Sequence, residues 1–409
     1  MERLDLSTVT DLSRAELETA IRNMLNEITL NQDMPLNKQE RALLVSDLVH
    51  EITGLGPLEE YINDDSVQDI LVNGHSQVIV EKNGILEVTP IQFRDDKHLM
   101  HIIDKIVSGV GRRIDESSPM VDARLADGSR VNVIIPPLAL DGPMMSIRKF
   151  GKHQLTGADL MAKGSMGRGM YEFLRAAIRS KLNILVAGGT GAGKTTLLNV
   201  LSENIPDTER IITIEDSAEL RLSQSHVVRL ESKPPNVEGK GEATLTDLVK
   251  NSLRMRPDRI IVGETRGGEV MDMLQAMNTG HPGSMSTVHA NTPKDALSRM
   301  EVMANMGTVS YSEKALQTLI SSAIDIIVQL ARLADGKRRV ISITEVRGLK
   351  EDSVDLAELF KFEQKGTDAD GNVLGKFMGK SIIPHCFRHI IFSGLELDET
   401  IFSQEWEIH

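Results

Sequence analysis

Residues 188–196 read GGTGAGKTT, in which a glycine, four residues, a second glycine, a lysine and a threonine follow in order. This spacing is that of the phosphate-binding P-loop. Glycines let the backbone curl so that its N–H groups point at phosphate oxygens, and the helix that follows adds a positive N-terminal dipole. We expect Lys194 to reach the β- and γ-phosphates and Thr195 to bind Mg²⁺. The predicted nucleotide-binding residues are Gly188, Gly189, Thr190, Gly191, Ala192, Gly193, Lys194, Thr195 and Thr196.

The segments on either side of this loop have the pattern that a P-loop requires. Residues 183–187 read NILVA, which predicts a buried strand, and TTLLNV after Lys194 predicts a helix. A strand, a glycine loop and a helix in this order distinguish a nucleotide site from a glycine turn that matches by chance.

Two further predicted strands end in acidic residues. One ends in Glu215-Asp216, and the other is followed by Gly263-Glu264. Ligands of a parallel sheet bind at the carboxyl ends of its strands, so we expect both pairs to face the phosphates. Glu264 is the predicted water-positioning residue or general base. Because glycine precedes Glu264, we expect metal support through water from Glu264, or from Glu215 and Asp216; a solvated strand-end carboxylate is the alternative for each pair.

Two histidines, His281 and His289, lie in the glycine- and serine-rich segment 279–293. Either could contact the γ-phosphate and respond to its loss, although a single histidine is more often structural. No adequate third ligand accompanies them, which argues against a metal site.

Composition excludes several classes of protein. The chain has 409 residues, which predicts two or more domains. Its single cysteine, Cys386, excludes a disulfide framework and a four-cysteine zinc site. A net charge of -13 and 3% aromatic residues argue against a general nucleic-acid binder, although a local basic surface within an acidic protein stays open. No run approaches the roughly 18–20 apolar residues of a membrane span, so a membrane location would depend on another protein.

Changes in the pattern of apolar and polar residues along the chain predict its domains. Residues 1–59 have the periodicity of helices, and 60–148 combine short β-branched runs with a helix, which predicts an α+β domain. Residues 149–154 are the predicted linker. Strands alternate with helices over 155–348, which predicts an α/β domain with a parallel sheet. Residues 349–409 form an acidic tail, expected to be a partly ordered appendage or a segment that docks a partner.

The motifs in their order resemble those of the type II/type IV secretion ATPase superfamily. Four of them match its Walker A loop, Asp box, Walker B region and His box: GGTGAGKTT, TIEDSAEL, RMRPDRIIVGETRGGEV and TGHPGSMSTVHANTP. The resemblance covers residues 50–347. Within the superfamily, the tight-adherence (Tad, Flp) pilus assembly branch, called CpaF or TadA, is the most similar, on SPMVDARLADGSRVNVIIPP, SIRKF and SSAIDIIVQLARLADGKRRVISITEV.

The resemblance implies a RecA-like P-loop domain after a smaller PAS-like domain, and a homohexamer that binds ATP or ADP with Mg²⁺. It implies that Arg124, Arg130 and Arg148 complete the nucleotide site. It also implies that His289 senses the γ-phosphate, with His281 as a weaker second candidate for that role. The implied partners are pilus platform proteins of the inner membrane, with the motor peripheral on its cytoplasmic face. No stable nucleic-acid binding is expected.

Two features found in some branches of the superfamily are missing from this sequence, and this limits the branches that it can resemble. The four-cysteine zinc insert of some type II and pilus-extension ATPases is missing, so no zinc is expected, and the pilus-retraction signature is replaced by ALQTLISSAIDIIVQ. A motor for pilus assembly is the leading hypothesis, with retraction left open. The alternatives are a type IV secretion ATPase that moves protein or DNA, a ring NTPase that moves nucleic acid, and a module that binds ATP without turnover.

Overall fold

The computed structural model describes residues 14–31, 37–82, 84–151, 154–235, 240–307, 311–351 and 353–407. The chain divides into two compact units, unit 1 (Met1–His153) and unit 2 (Gln154–His409). The boundary falls inside the segment 149–154 that the sequence predicts as a linker. Among the described residues, no helix is both long enough and apolar enough to cross a membrane.

Unit 1 begins with a pair of helices. Leu17 and Ile21 of the first helix pack against Val45 and Val49 of the second, at the four-residue spacing that places side chains on one helix face. Asn37 caps the second helix by accepting hydrogen bonds from the N–H groups of Gln39 and Glu40 in its first turn. The helices of unit 1 are α1 (Arg14–Asn31), α2 (Lys38–Thr53), a 3₁₀ turn (Gly56–Leu58), α3 (Glu59–Asn63) and α4 (Asp96–Gly109).

The rest of unit 1 is a six-stranded antiparallel sheet in the order β3-β2-β1-β6-β5-β4. Leu99, Ile102 and Ile106 of α4 are buried in one hydrophobic core with Val131 and Val133, alternate residues of β5. This is the α+β architecture expected for 60–148. The strands are β1 (Val67–Asn73), β2 (Gln77–Lys82), β3 (Ile85–Val88), β4 (Met120–Arg124), β5 (Arg130–Ile134) and β6 (Met144–Arg148).

Unit 2 is built on a ten-stranded sheet in the order β16-β15-β14-β13-β12-β7-β11-β10-β8-β9. Six neighbouring strands of this sheet, β12-β7-β11-β10-β8-β9, pair in parallel. The remaining strands, β13 to β16, extend the sheet beyond β12 through antiparallel pairs. The strands are β7 (Ile184–Gly188), β8 (Ile211–Glu215), β9 (Val227–Glu231), β10 (Arg259–Val262), β11 (Met285–Val288), β12 (Ile326–Arg332), β13 (Arg338–Lys350), β14 (Ser353–Thr367), β15 (Val373–Gly379) and β16 (Glu405–Glu407).

Both faces of this sheet are covered. Ile184 and Val186 of β7 belong to one hydrophobic core, whereas Leu185 and Ala187 belong to a second. A strand buried on both faces reads as a continuous apolar run, which is why NILVA predicts a parallel sheet. The helices are α5 (Gly157–Ala162), α6 (Arg168–Arg179), α7 (Lys194–Ser202), α8 (Leu245–Ser252), α9 (Glu269–Asn278), α10 (Pro293–Ala304), α11 (Glu313–Ala323), α12 (Phe387–Phe392) and a 3₁₀ turn (Glu399–Ser403).

The segment 349–409 is not the appendage that the sequence predicts, and this corrects the boundary placed at 348. Its described residues supply β14, β15 and β16 of the unit 2 sheet. The ring centroid of Phe402 lies 5.6 Å from that of Phe173 on α6 and 5.3 Å from that of Phe360 on β14. All three phenylalanines are buried in the same core, so this segment contributes to the domain's hydrophobic interior.

Candidate nucleotide site

The glycine loop lies between β7 and α7, at the carboxyl edge of the unit 2 sheet. Gly191 and Gly193 adopt φ angles of +69° and +93°, a left-handed conformation that favours glycine. A Cβ atom on Gly193 would also approach Cδ of Arg338 to 3.2 Å. Conformation and close packing together explain why the sequence has glycine there.

Lys194, the first residue of α7, lies over this loop. Its Nζ donates hydrogen bonds to the carbonyl oxygens of Gly188, at 3.2 Å, and Gly189, at 3.1 Å. The side chain is buried, and burial lowers the pKa of its ammonium group. Phosphate oxygens are stronger partners for an ammonium than carbonyl oxygens, so a nucleotide would draw Lys194 away from the loop's own backbone.

Glu264 and His289 meet beside Lys194. Oε1 of Glu264 lies 2.6 Å from Nε2 of His289, which in turn lies 3.3 Å from Nζ of Lys194. Burial lowers the pKa of His289, and the nearby charge of Lys194 lowers it further. Nε2 of His289 is thus close to Oε1 of Glu264, an oxygen that is buried without a hydrogen-bond partner among the described residues. The structure therefore brings together three of the residues that the sequence predicts.

Arg266 is a member of this cluster that the sequence analysis missed. Its Nε donates to Oε2 of Glu264 at 2.8 Å, and its Nη1 lies 3.7 Å from Oδ2 of Asp216. Oε2 of Glu264 thus accepts from Arg266, whereas Oε1 lies against His289. The sequence could have indicated this residue, because Arg266 follows the predicted catalytic Glu264 by two residues. A second predicted strand also ends in acidic residues, including Asp216, with which a cation could pair.

The two residues at the end of β8 have different surroundings. Glu215 is buried, and its Oε1 accepts hydrogen bonds from the N–H groups of Glu219 and Leu220 at 2.8 and 2.9 Å. Burial raises the pKa of Glu215 to about 7. Its Oε2 is buried without a hydrogen-bond partner in the part of the chain that the structure describes. Asp216 is exposed and accepts a hydrogen bond from Oγ of Ser232 at 3.0 Å.

His281 does not join the cluster, and this corrects its prediction as a nucleotide-binding residue. Its Nδ1 lies 3.1 Å from the carbonyl oxygen of Pro257, which precedes β10. His281 precedes β11 and His289 follows it, so the two histidines lie at opposite edges of the parallel sheet. Only His289 is at the edge that carries the glycine loop.

The donor set fits a magnesium ion that is bound together with the nucleotide. Over the described ranges, no group of three or more histidine, cysteine, aspartate or glutamate side chains could hold a metal ion by itself. Mg²⁺ keeps waters and substrate phosphates among its ligands, so few protein groups are needed. The half-buried Thr195, at the start of α7, and Glu264, acting through water, are the residues that suit this role.

Unit 1 brings the three predicted arginines together. Arg124 pairs across the sheet with Arg130, and Arg130 pairs with Arg148. On the next strand Asp69 pairs with Arg148, whose Nε donates to Oδ1 of Asp69 at 3.1 Å. Directly opposed like charges destabilise a sheet. A row of three guanidinium groups is therefore suited to an anion, since phosphate oxygens would relieve the repulsion.

Comparisons with known proteins identify the family of this chain. Residues 51–375 match the family described as type II/IV secretion system protein. A Mycobacterium tuberculosis protein named for conjugal transfer is 37% identical over 303 residues, 73% of this chain and 86% of its own. The type IV secretion system protein VirB11 of Bartonella quintana is 32% identical over 358 residues, 77% of this chain and 96% of its own.

The solved structure of the pilus retraction motor PilT with bound ADP has the same fold. It has a TM-score of 0.52 and 20% sequence identity, and the match covers 71% of this chain and 82% of PilT. The family match spans more than half of the chain, and the relatives are matched over most of their length. The chain therefore belongs to the type II/type IV secretion ATPase superfamily, and it is a nucleotide-binding ATPase.

Proposed function

We propose that this chain is the subunit of a homohexameric motor that hydrolyses Mg-ATP to power assembly of a tight-adherence pilus at the cytoplasmic face of the membrane. The observation that carries the motor chemistry is the series of contacts from Lys194 through His289 to Glu264 beside the glycine loop. The choice of pilus branch rests on the sequence resemblance, which runs from residue 118 into β13. Pilus platform proteins of the inner membrane are the proposed partners.

The contacts of Glu264 support a switch between two sets of partners. A γ-phosphate would attract Lys194, because an oxyanion is a stronger acceptor than the two carbonyl oxygens that it contacts, and it would compete with the carboxylate of Glu264 for His289. Loss of the His289 contact would free Oε1 of Glu264 to orient a water for attack on the γ-phosphorus. Arg266 would keep hold of the other oxygen and so fix the direction of the carboxylate. ATP binding would thereby activate the group that cleaves it.

The arginine row of unit 1 supports a further part of the proposal. We assign Arg124, Arg130 and Arg148 to binding phosphate oxygens, as the resemblance implies. A guanidinium group stays charged and forms paired hydrogen bonds with an oxyanion. Cleavage and departure of the γ-phosphate would remove their ligand, and this loss would drive the movement that performs mechanical work.

A second candidate function is a type IV secretion ATPase that moves protein or DNA. The observation that favours it is the set of relatives, which includes conjugal transfer proteins and the type IV secretion protein PtlH of Bordetella pertussis. PtlH is 36% identical over 326 residues, 72% of this chain and 95% of its own. The nucleotide chemistry of the two candidates is the same, and only the cargo differs.

The motor chemistry is tested by ATP turnover with Mg²⁺ for the wild type and Glu264→Gln, with the oligomer mass measured by light scattering. The control is Glu363→Gln, which changes an exposed carboxylate on β14. We expect a hexamer in all three, turnover in the wild type and the control, and binding of ATP with at least about a hundredfold slower cleavage in Glu264→Gln. A wild-type hexamer that binds ATP but never cleaves it would support the module without turnover.

The cargo is tested by deleting the gene in the source organism and complementing it with wild type or Glu264→Gln. Loss of surface pili, restored only by the wild type, supports the pilus motor. Normal piliation with loss of protein secretion or DNA transfer supports the second candidate. Stimulation of the purified ATPase by single-stranded DNA would instead indicate a motor that acts on nucleic acid.

A further inference from the structure

A cavity of about 710 Å³ adjoins the glycine loop on the side of its first residues. It extends from the loop toward α10, which begins shortly after His289. Its lining includes two loop residues, three side chains that can be cationic and one acid: Gly189, Thr190, Arg266, His289, Arg299 and Asp295. His289 lines the cavity and lies beside Lys194, which is expected to reach the γ-phosphate, so the cavity adjoins the place where the γ-phosphate would lie.

Arg299 distinguishes this cavity from the cluster around Glu264. Arg266 and His289 are both bound to Glu264, whereas Arg299 on α10 makes no hydrogen bond or ion pair with any residue that the structure describes. Burial lowers the pKa values of Lys194 and His289, and the charge of Arg299 lowers both further. An unneutralised guanidinium thus acts on the same groups that would hold the γ-phosphate.

The chemistry of cleavage supplies an anion at this place. Water attacks the γ-phosphorus opposite the leaving ADP, the bond from that phosphorus to the bridging oxygen breaks, and the products are ADP, inorganic phosphate and a proton. ADP keeps its phosphates in the loop and so blocks the way back along the nucleotide. Inorganic phosphate must therefore leave sideways from the γ end of the loop.

We propose that this cavity is a holding site for the inorganic phosphate produced by cleavage, with Arg299 as its principal cation and Asp295 as an acceptor. This inference rests on ATP hydrolysis as proposed above. Hydrogen phosphate carries one proton that it can donate to the carboxylate of Asp295, whereas sulfate at neutral pH has none. The site therefore selects phosphate over sulfate and delays its release after cleavage.

The test is equilibrium dialysis of radiolabelled inorganic phosphate against the full-length chain saturated with Mg-ADP. We compare the wild type with Arg299→Ala, Arg299→Lys and Arg175→Ala, the last a change of an exposed arginine on α6 that does not line the cavity. We expect one phosphate per chain for the wild type and the α6 control. Arg299→Ala should weaken phosphate binding by about tenfold or more, Arg299→Lys by less, and sulfate should compete poorly.

Several outcomes would overturn the inference. They are no phosphate binding by the ADP-loaded wild type, equal competition by sulfate, or unchanged affinity in Arg299→Ala. A loss of ATP affinity in Arg299→Ala as large as the loss of phosphate affinity would place this residue on the bound nucleotide instead. ATP turnover in the same preparation separates the two proposals: phosphate binding without turnover contradicts the motor, and turnover without phosphate binding contradicts the holding site.

Discussion

Replacing Glu215 by glutamine is expected to flatten the pH dependence of the stability of unit 2. The carboxyl group is buried at the end of β8, and burial raises its pKa from 4.5 to about 7. Its Oε1 accepts two backbone hydrogen bonds, from Glu219 and Leu220, that a glutamine oxygen can also accept. The substitution thus keeps the shape and the turn while removing the titrating group.

The direction of the effect follows from which state holds the proton. Below pH 4.5 the group is protonated in both the folded and the unfolded chain, so it contributes nothing. As the pH rises from 4.5 to about 7, the unfolded chain loses this proton before the folded chain does, and stability falls. Above pH 7 the loss is constant. A pKa difference of this size corresponds to about 3 kcal/mol in the free energy of unfolding.

The assay is denaturant unfolding of the full chain between pH 5.5 and 8, followed by the fluorescence of Trp406. This is the only tryptophan of the chain, and it packs against the main core of unit 2. Over that pH range we expect the wild type to lose about 2 kcal/mol relative to Glu215→Gln. Glu363→Gln, at an exposed position on β14, is the control and should follow the wild type.

The slope with pH, and not the absolute stability, is the quantity that decides. The amide nitrogen of glutamine would lie where Oε2 of Glu215 is buried without a described partner, and this penalty is the same at every pH. Parallel pH profiles for the wild type and Glu215→Gln would refute the argument, because they would mean that Glu215 titrates alike in both states. Turnover by the same variant also tests the metal support predicted for Glu215.

Three further predictions test other parts of the structure. His289→Ala should slow ATP cleavage by about a hundredfold in steady-state assays, whereas His281→Ala should leave the rate of cleavage unchanged; equal losses of rate would contradict their separation by the sheet. Arg130→Ala should raise the free energy of unfolding of unit 1 by up to about 1 kcal/mol in hydrogen exchange while it slows turnover; a stability loss would contradict the repulsion argument. Phe402→Ala should destabilise unit 2 by about 3–5 kcal/mol, measured by Trp406 fluorescence, and an unchanged midpoint would contradict a structural role for the C-terminal strands.

The sequence can predict that Lys194 and Glu264 lie close together, because each is marked by a local pattern and one general rule relates the two patterns. The glycine loop identifies Lys194 by spacing alone, and an apolar run followed by an acid identifies Glu264. The rule that parallel strands bring their carboxyl ends to one edge then places these residues together. The structure has both at that edge, with His289 between them.

Two predictions differ from the structure, the placement of His281 and the segment after residue 348. The first depends on a very short strand, and the second depends on contacts between residues that are far apart in the sequence. The strand that separates His281 from His289 has four residues, MSTV, and is too short to show a period, so the two histidines could not be assigned to opposite edges. The segment after residue 348 was misjudged because its net charge was weighed above its apolar residues. Phe360 and Phe402 become buried only through packing against α6, which lies far earlier in the chain.

The row of Arg124, Arg130 and Arg148 depends on how the strands pair, which the spacing of these residues in the sequence does not reveal. The turn at Asp127-Gly128 joins β4 to β5 and sets Arg124 opposite Arg130. Only the pairing of β5 with β6 adds Arg148 to the row. A sheet that served stability alone would gain by separating three cations, since opposed like charges cost free energy at each contact. Their alignment therefore favours an anionic ligand as the reason for the row, and it predicts that phosphate compounds stabilise unit 1 more in the wild type than in Arg130→Ala.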